Sequence, residues 1–218
     1  MKMIVMFSLK DRLKHIGHLD LMRAMQRALR RSGLPVCYSQ GFNPHILLSF
    51  AAPLSVGMEG EREVMEVPLS EDVAPDTFIA RLNDALPPLV RCLSARQVAD
   101  DHPAAMTQLG AAQFEITPLE SADMLLAAVP GFLAQESIPA MRKSKKGMVP
   151  VDLRPLIYNL RVKDGHLEAL LALHPSGTCK PDLMMQALSS FAGLPTPAPY
   201  DIRRTALLTE RFSPLEEA

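Results

Sequence analysis

Strand and helix signals follow one another in the same order twice along this sequence, and this repeated order constrains the fold most. In the first half the order is strand, helix, strand, strand, helix, strand, with one further β-prone piece, PVCYS, left over. The second half repeats it from AAQFEITPL to YDIRRTALLTE. This order is typical of antiparallel sheets with helices on one face. We therefore predict an α+β fold of two tandem ferredoxin-like (split βαβ) units, residues 1–100 and 110–210, a single α+β domain of another topology being the alternative.

Several element boundaries are marked by turn residues. The first helix is predicted to begin near His18 to Asp20 and to end at Arg31, because Gly33 and then Pro35 follow it. Asp164-Gly165 joins two alternating apolar segments, which is a strong hairpin signal. Pro130 is predicted to interrupt the helix of the segment SADMLLAAVPGFLAQ.

The composition excludes several classes of protein. With 48% hydrophobic and 22% charged residues over 218 positions, the chain resembles folded globular proteins. No apolar run approaches the roughly 20 residues that cross a bilayer, and the N-terminal segment becomes charged too early for a secretory signal. Cys37, Cys92 and Cys179 are odd in number and far apart, which argues against a disulfide framework. We expect a cytoplasmic protein with buried thiols and no membrane partner.

The formal net charge of -1 conceals a strongly uneven distribution. Residues 1–36 contain eight Lys and Arg residues, opposed only by Asp11 and Asp20. Residues 59–84 are acidic, and their first part, 59–76, is predicted to be a solvated edge strand and turn. Residues 142–163 are basic again, with Asp152 as the one acidic residue. Two basic segments therefore exist within a nearly neutral chain.

The first helix is predicted to have one cationic and one apolar face, because each residue turns by about 100°. The cationic face comprises Arg23, Arg27, Arg30 and Arg31. The apolar face comprises Leu21, Met25, Ala28 and Leu29. Asp20 is placed to cap the helix and to pair with Arg23, but no Glu follows on the cationic face. The arginines are candidates to bind RNA phosphate or an acidic protein; an ordinary solvated face is the alternative.

The GFNPH segment at 41–45 is predicted to form an exposed turn beside this helix. Gly41 tolerates positive φ, and Asn43 precedes a proline, which favours extended backbone. In one interpretation Phe42 and His45 are presented for stacking on a base or for covering a partner's apolar groove. In the other, Phe42 turns inward and anchors the turn.

A second candidate contact lies at RKSKKG in the second half. Arg142, Lys143, Lys145 and Lys146 precede Gly147, and we predict a flexible cationic loop that leads into a strand. A solvated loop without a partner is the alternative.

Catalytic and metal-binding interpretations have little support from the residues. HIGH, which includes His15 and His18, is a tetrad of ATP-binding synthetases, but the nucleotide fold it requires is larger than this chain allows. A metal site built from these two histidines with Asp20 and His45 lacks a second cluster of ligand types, so we predict none. His18 is expected to cap the helix or to pack. If the chain acts on RNA, His18, Asp20 and His45 are the candidate acid, base and positioning groups.

Residues 17–69, from GHLDLMR through GLPVCYSQGFNPH to REVMEVPL, resemble the opening of the radical-SAM-linked domain of unknown function family. RKSKKGMVPVDLRPLI resembles the second basic motif of that family. The chain departs from the family pattern at Ile46 and Leu47, where Pro-Lys usually follows NPH, so the turn carries one positive charge fewer.

The resemblance implies a domain that is fused behind a cobalamin-binding radical SAM protein, or encoded beside one, often near genes for RNA and ribosome production. The chain has no CxxxCxxC motif, so an iron–sulfur cluster, S-adenosylmethionine and cobalamin would be carried by the partner. We therefore expect a noncatalytic accessory module that binds RNA, such as tRNA or rRNA. A protein-interaction subunit that docks on the radical SAM enzyme and an RNA-acting enzyme are the alternatives.

Overall fold

A computed structural model describes residues 1–144, 147–174, 177–195 and 197–218 and confirms the α+β class. The helices are α1 (His18–Arg31), α2 (Pro75–Ala85), α3 (Ala105–Gln108), α4 (Ala122–Leu133) and α5 (Pro181–Phe191). The strands are β1 (Lys2–Leu9), β2 (Ser49–Phe50), β3 (Met58–Pro68), β4 (Val90–Val98), β5 (Leu109–Pro118), β6 (Pro139–Ser144), β7 (Gly147–Asp152), β8 (Ile157–Lys163), β9 (His166–His174), β10 (Gly177–Thr178) and β11 (Tyr200–Thr209). None of the helices in these described ranges is long and apolar enough to cross a membrane.

The chain divides into two compact units. Unit 1 comprises Met1–Leu109 with Ala206–Ala218, and unit 2 comprises Gly110–Thr205. In unit 1, β1 lies between β3 and β4 and pairs antiparallel with both, and β2 pairs with the other side of β3. Met3, Val5 and Phe7 of β1 are almost completely buried. The central strand therefore supplies the floor of the unit 1 core.

Helix α1 has the bounds that were predicted. Ser32 donates its hydroxyl to the Leu29 carbonyl over 2.7 Å, and Gly33 follows with a φ of +66°, so the helix ends in the left-handed conformation that glycine adopts most easily. The predicted apolar face, which includes Leu21 and Met25, is buried in the unit 1 core. The cationic face is consequently left outside.

The acidic segment is not the solvated edge strand that was predicted. Strand β3 pairs on both sides, and Glu66 is only 6% exposed. Its carboxylate lies 3.1 Å from the Lys2 Nζ and accepts a hydrogen bond from the Ser49 hydroxyl over 3.2 Å. The buried charge is tolerated because a cation and a hydroxyl compensate its lost hydration.

In unit 2, β9 pairs antiparallel with β5 and with β8. The Asp164-Gly165 turn between β8 and β9 is confirmed, with φ values of +48° and +80° as a two-residue type I′ hairpin requires. Helix α4, however, continues through Pro130 to Leu133, so the predicted interruption is wrong. Proline removes one backbone donor, but Ala134 N–H still donates to the Pro130 carbonyl and the buried Phe132 holds the last turn in the core.

Arg142 and Lys143 of the predicted cationic loop instead belong to a β-hairpin. Strands β6 and β7 pair in register, with Arg142 opposite Val149 and Lys143 opposite Met148. At its base, the Asp152 carboxylate accepts hydrogen bonds from the backbone N–H groups of Ile138 and Arg154, which lowers the pKa of Asp152. Arg142 and Lys143 are therefore strand residues, whereas Lys145 and Lys146 lie outside the described residues.

The cysteines differ in burial, which gives a test of the fold. Burial raises the pKa of Cys92 and that of Cys179 to about 12, so both thiols are protonated near neutral pH, whereas Cys37 is half-buried. We expect iodoacetamide at about pH 8 to alkylate Cys37 first, and the other two only after denaturation. Mass spectrometry of timed samples measures this, with Cys37→Ser as the control. Equal rates for the three thiols in the native protein would contradict the core described above.

Candidate functional site

Three of the predicted arginines line one small cavity on the surface of unit 1. Arg23, Arg27 and Arg30 surround a space of about 150 Å³, together with Gln26. The spacings of three and four residues place these side chains on one face of α1, and all three arginines are exposed. We call this feature the arginine cleft.

The arginine cleft is not neutralised within the part of the chain that the structure describes. Arg23 lies 3.3 Å from the Asp20 carboxylate, but both side chains are about two-thirds exposed, so this pair is weak. Arg27 and Arg30 form no ion pair with any described residue. A guanidinium presents planar N–H donors that suit phosphate and carboxylate oxygens. The arginine cleft is therefore chemically suited to an anion.

Arg31 does not line the arginine cleft, although the predicted arc included it. Its Nη2 donates to the Ala85 carbonyl over 2.6 Å, at the last residue of α2. This bond satisfies a carbonyl that has no partner within its own helix. Arg31 thus joins two helices of unit 1 and is a structural residue.

The GFNPH segment forms the tip of a short hairpin, residues 37–47, which we call the GFNPH hairpin. Tyr38 and Ile46 form a β-bridge, Leu47 N–H donates to the Cys37 carbonyl over 2.9 Å, and Ser39 N–H donates to the His45 carbonyl over 2.8 Å. Residues 40–45 are all exposed. Phe42 is 104% exposed, so the interpretation in which it turns inward is wrong.

Gln26 connects the GFNPH hairpin to the arginine cleft. Its Nε2 donates to the Ile46 carbonyl over 2.9 Å, and the Ile46 side chain is buried in the unit 1 core. The burial of this side chain explains why an apolar residue follows NPH here. Sequence reasoning missed Gln26 because this residue is uncharged; its position between Arg23 and Arg27 on the same arc was the available signal.

The three candidate catalytic side chains have separate neighbours. The His18 ring lies edge-on to Phe50 with 5.4 Å between centroids, which makes it a packed histidine, and Asp20 faces Arg23. The His45 Nδ1 lies 2.8 Å from the Ser39 hydroxyl within the GFNPH hairpin. In the described parts of the chain, no group of three or more His, Cys, Asp or Glu residues is arranged to hold a metal ion.

Unit 2 contains a larger cavity, of about 530 Å³, that the sequence did not suggest. The end of α4, one face of α5 and the β6–β7 hairpin form its walls, with Phe132, Met141, Met148 and Phe191 among the lining residues. Its lining is uncharged, although Lys143 lies opposite Met148 in the hairpin register.

The different roles of Arg30 and Arg31 give a matched test, since both occupy the last turn of α1 and are equally placed to interact with its dipole. We expect Arg31→Ala to lower the free energy of unfolding by about 1 kcal/mol, because it removes a charge-assisted hydrogen bond. Arg30→Ala should leave stability nearly unchanged. Urea denaturation followed by circular dichroism measures both, and similar losses would show that Arg31 has no special structural role.

Comparison with known proteins identifies a family but no activity. No curated protein matches the chain. A family model described as "Uncharacterized protein conserved in bacteria (DUF2344)" matches residues 2–181, from β1 to the first residue of α5. That description names no radical SAM enzyme, so the resemblance noted in the sequence is confirmed only as membership of a family of unassigned function. The match covers well over half of the sequence, and the chain therefore belongs to the DUF2344 family of uncharacterized bacterial proteins.

Proposed function

We propose that the chain is a noncatalytic RNA-binding module whose arginine cleft contacts the phosphate backbone. The observation that carries this proposal is the grouping of Arg23, Arg27 and Arg30 around one cavity, with Arg27 and Arg30 unneutralised within the described residues. Phosphate contacts of this kind supply most of the affinity of proteins for nucleic acids.

The dimensions of the arginine cleft favour an extended anion over a single ion. Arg23 and Arg30 are separated by seven residues, which corresponds to about 10 Å along a helix that rises about 1.5 Å per residue. A nucleic-acid strand presents more than one phosphate over this length. Several guanidinium groups can therefore contact successive phosphates of one strand.

The noncatalytic part of the proposal is supported by the roles already assigned to the candidate catalytic groups. His18 packs on Phe50, Asp20 pairs with Arg23, and His45 is hydrogen-bonded to Ser39. Each of these contacts stabilises α1 or the GFNPH hairpin.

In unit 2, Arg142 and Lys143 of β6 are proposed as a second phosphate contact, with Lys145 and Lys146 beyond the described residues.

Charge reversal tests the RNA-binding proposal. We expect wild-type protein to bind fluorescently labelled single-stranded RNA with an affinity that falls steeply with salt. Arg27→Glu with Arg30→Glu should weaken binding at least about tenfold and reduce the salt slope by about 2. Fluorescence anisotropy at several salt concentrations measures this.

The matched control is Arg91→Glu with Arg211→Glu, which reverses two exposed arginines of unit 1 elsewhere and makes the same change in net charge. This control should bind nearly as well as wild type. Salt-independent binding, or equal losses in the two double variants, would refute a specific role of the arginine cleft.

We further propose that the module serves a cytoplasmic radical SAM enzyme that carries the iron–sulfur cluster, S-adenosylmethionine and cobalamin. The resemblance of residues 17–69 and of RKSKKGMVPVDLRPLI to radical-SAM-linked domains supports this partner, and tRNA or rRNA would be the shared substrate.

A protein-docking role is the second candidate, because Leu19 is 63% exposed on the same helical face as Arg23. An apolar residue beside arginines also suits an acidic protein surface.

Co-purification separates the two roles. Affinity-tagged protein should retain the radical SAM enzyme and RNA together, and nuclease should weaken the complex if RNA bridges the partners. A nuclease-resistant complex that is lost on Leu19→Glu and contains no RNA would favour protein docking instead. Absence of the radical SAM enzyme under both conditions would refute that partner.

For the architecture, we propose that each unit is ferredoxin-like. Unit 1 has the strand order β2-β3-β1-β4, with α1 following β1 and α2 following β3. In unit 2 the corresponding order is β8-β9-β5-β11, with α4 and α5 at the equivalent connections and the β6–β7 hairpin inserted. Both orders are those of a split βαβ unit with an antiparallel sheet.

A further inference from the structure

Phe42 is the one aromatic side chain in the described part of unit 1 that lies wholly in solvent. It is 104% exposed, whereas Phe7, Phe50 and Phe78 belong to the unit 1 core, and the exposed fractions of the other large, exposed apolar side chains in the described residues range from 41% to 63%. Single exposed apolar residues are common, so exposure alone does not define a site. The position of Phe42 in a braced hairpin beside a cationic surface is the second observation.

The base of the GFNPH hairpin is tightly hydrogen-bonded. The Ser39 hydroxyl accepts from the His45 N–H over 3.1 Å and also contacts the His45 ring, in addition to the backbone bond between the same two residues. Gly41 has a φ of +119°, which a residue with a side chain rarely adopts. Asn43 precedes Pro44 and is thereby restricted to extended conformations. These hydrogen bonds and backbone restrictions therefore limit the positions that Phe42 can adopt.

The GFNPH hairpin is attached to the same helix face that carries the phosphate contacts. The Gln26 amide lines the arginine cleft and donates to Ile46, directly after the turn. An aromatic platform and a set of guanidinium groups are therefore held in one part of unit 1. Proteins that bind single-stranded nucleic acids combine these two elements, in which aromatic rings stack on bases and cations follow the backbone.

Only an unpaired nucleotide can use both elements. In an RNA duplex each base is stacked on its neighbours and paired across the helix, so its face is not available to a protein ring. In a single strand, loop or bulge the base can turn out and stack on Phe42 while neighbouring phosphates contact Arg23, Arg27 and Arg30. Stacking of this kind tolerates any base, because every base has a π-face.

Resting on the proposed RNA-binding function, we propose that the site selects unpaired nucleotides, with one base stacked on Phe42 and the adjacent backbone in the arginine cleft. The ligand class is accordingly a single-stranded RNA segment or an exposed loop. Duplex RNA is bound more weakly, through phosphates alone.

The test compares three short probes of equal length by fluorescence anisotropy: single-stranded polyuridine, the same strand with abasic riboses at its central positions, and a blunt RNA duplex. The wild type should prefer the polyuridine. Phe42→Ala should weaken polyuridine binding about fivefold or more, the loss typical of one stacked base, and should not change binding to the abasic or duplex probes. Phe42→Tyr, which keeps the ring, should restore binding.

Leu93→Ala is the matched control, because Leu93 is an exposed apolar residue of unit 1 on β4. It should bind all three probes as the wild type does. Since Phe42 is fully exposed, the alanine variant should retain the unfolding transition of the wild type, which circular dichroism verifies.

The two proposals fail in different ways. Two outcomes would overturn the stacking inference and leave the RNA-binding function in place. In the first, binding depends on Arg27 and Arg30 but is unaffected by Phe42→Ala. In the second, Phe42→Ala weakens binding to polyuridine and to the duplex equally. Absence of arginine-dependent binding to all three probes would overturn both. Loss of a nuclease-resistant protein complex on Phe42→Ala, without any effect on RNA, would show that the ring docks on a protein.

Discussion

Burial of the apolar face of α1 against the unit 1 sheet is the interaction on which the rest of this structure depends. Leu21, Met25 and Leu29 lie in the same core as the buried side chains of β1, and burial of each large apolar side chain contributes roughly 1.5–3 kcal/mol. Turning the helix by one residue would place a guanidinium in this core, where its loss of hydration would be uncompensated. The outward direction of the arginines therefore follows from packing.

Hydrogen bonds at two positions of α1 then divide its polar residues by role. Near the C-terminus, Arg31 joins the end of α2, and in the middle Gln26 holds the GFNPH hairpin. Arg27 and Arg30 lie between these attachments and Arg23 lies one turn before the first, and the three arginines surround one cavity. The same contacts that fix the helix in the unit thus determine which arginines are available to a ligand and which residues lie beside them.

The near-neutral total charge is compatible with a cationic surface because several carboxylates are used within the fold. Glu66 is buried against Lys2 and Ser49, and Glu59 accepts a hydrogen bond from the Asp11 N–H. Both of these acidic residues belong to β3. The net charge of the chain is therefore a poor guide to the charge of any one surface. Local compensation of charges determines where an anion can bind.

The sequence alone determined the features that depend on neighbouring residues: the bounds of α1, the hairpin at Asp164-Gly165, and the opposed faces of the first helix. These signals are short-range, since a glycine stop or a helical period acts within a few residues. Only the tertiary structure decided that Arg142 and Lys143 pair within a hairpin, that α4 continues through Pro130, that Arg31 binds Ala85, and that Phe42 faces solvent. Ala85 lies 54 positions from Arg31 in the sequence, and Phe132 holds the last turn of α4 in the core, so these two contacts are settled only when the core has packed.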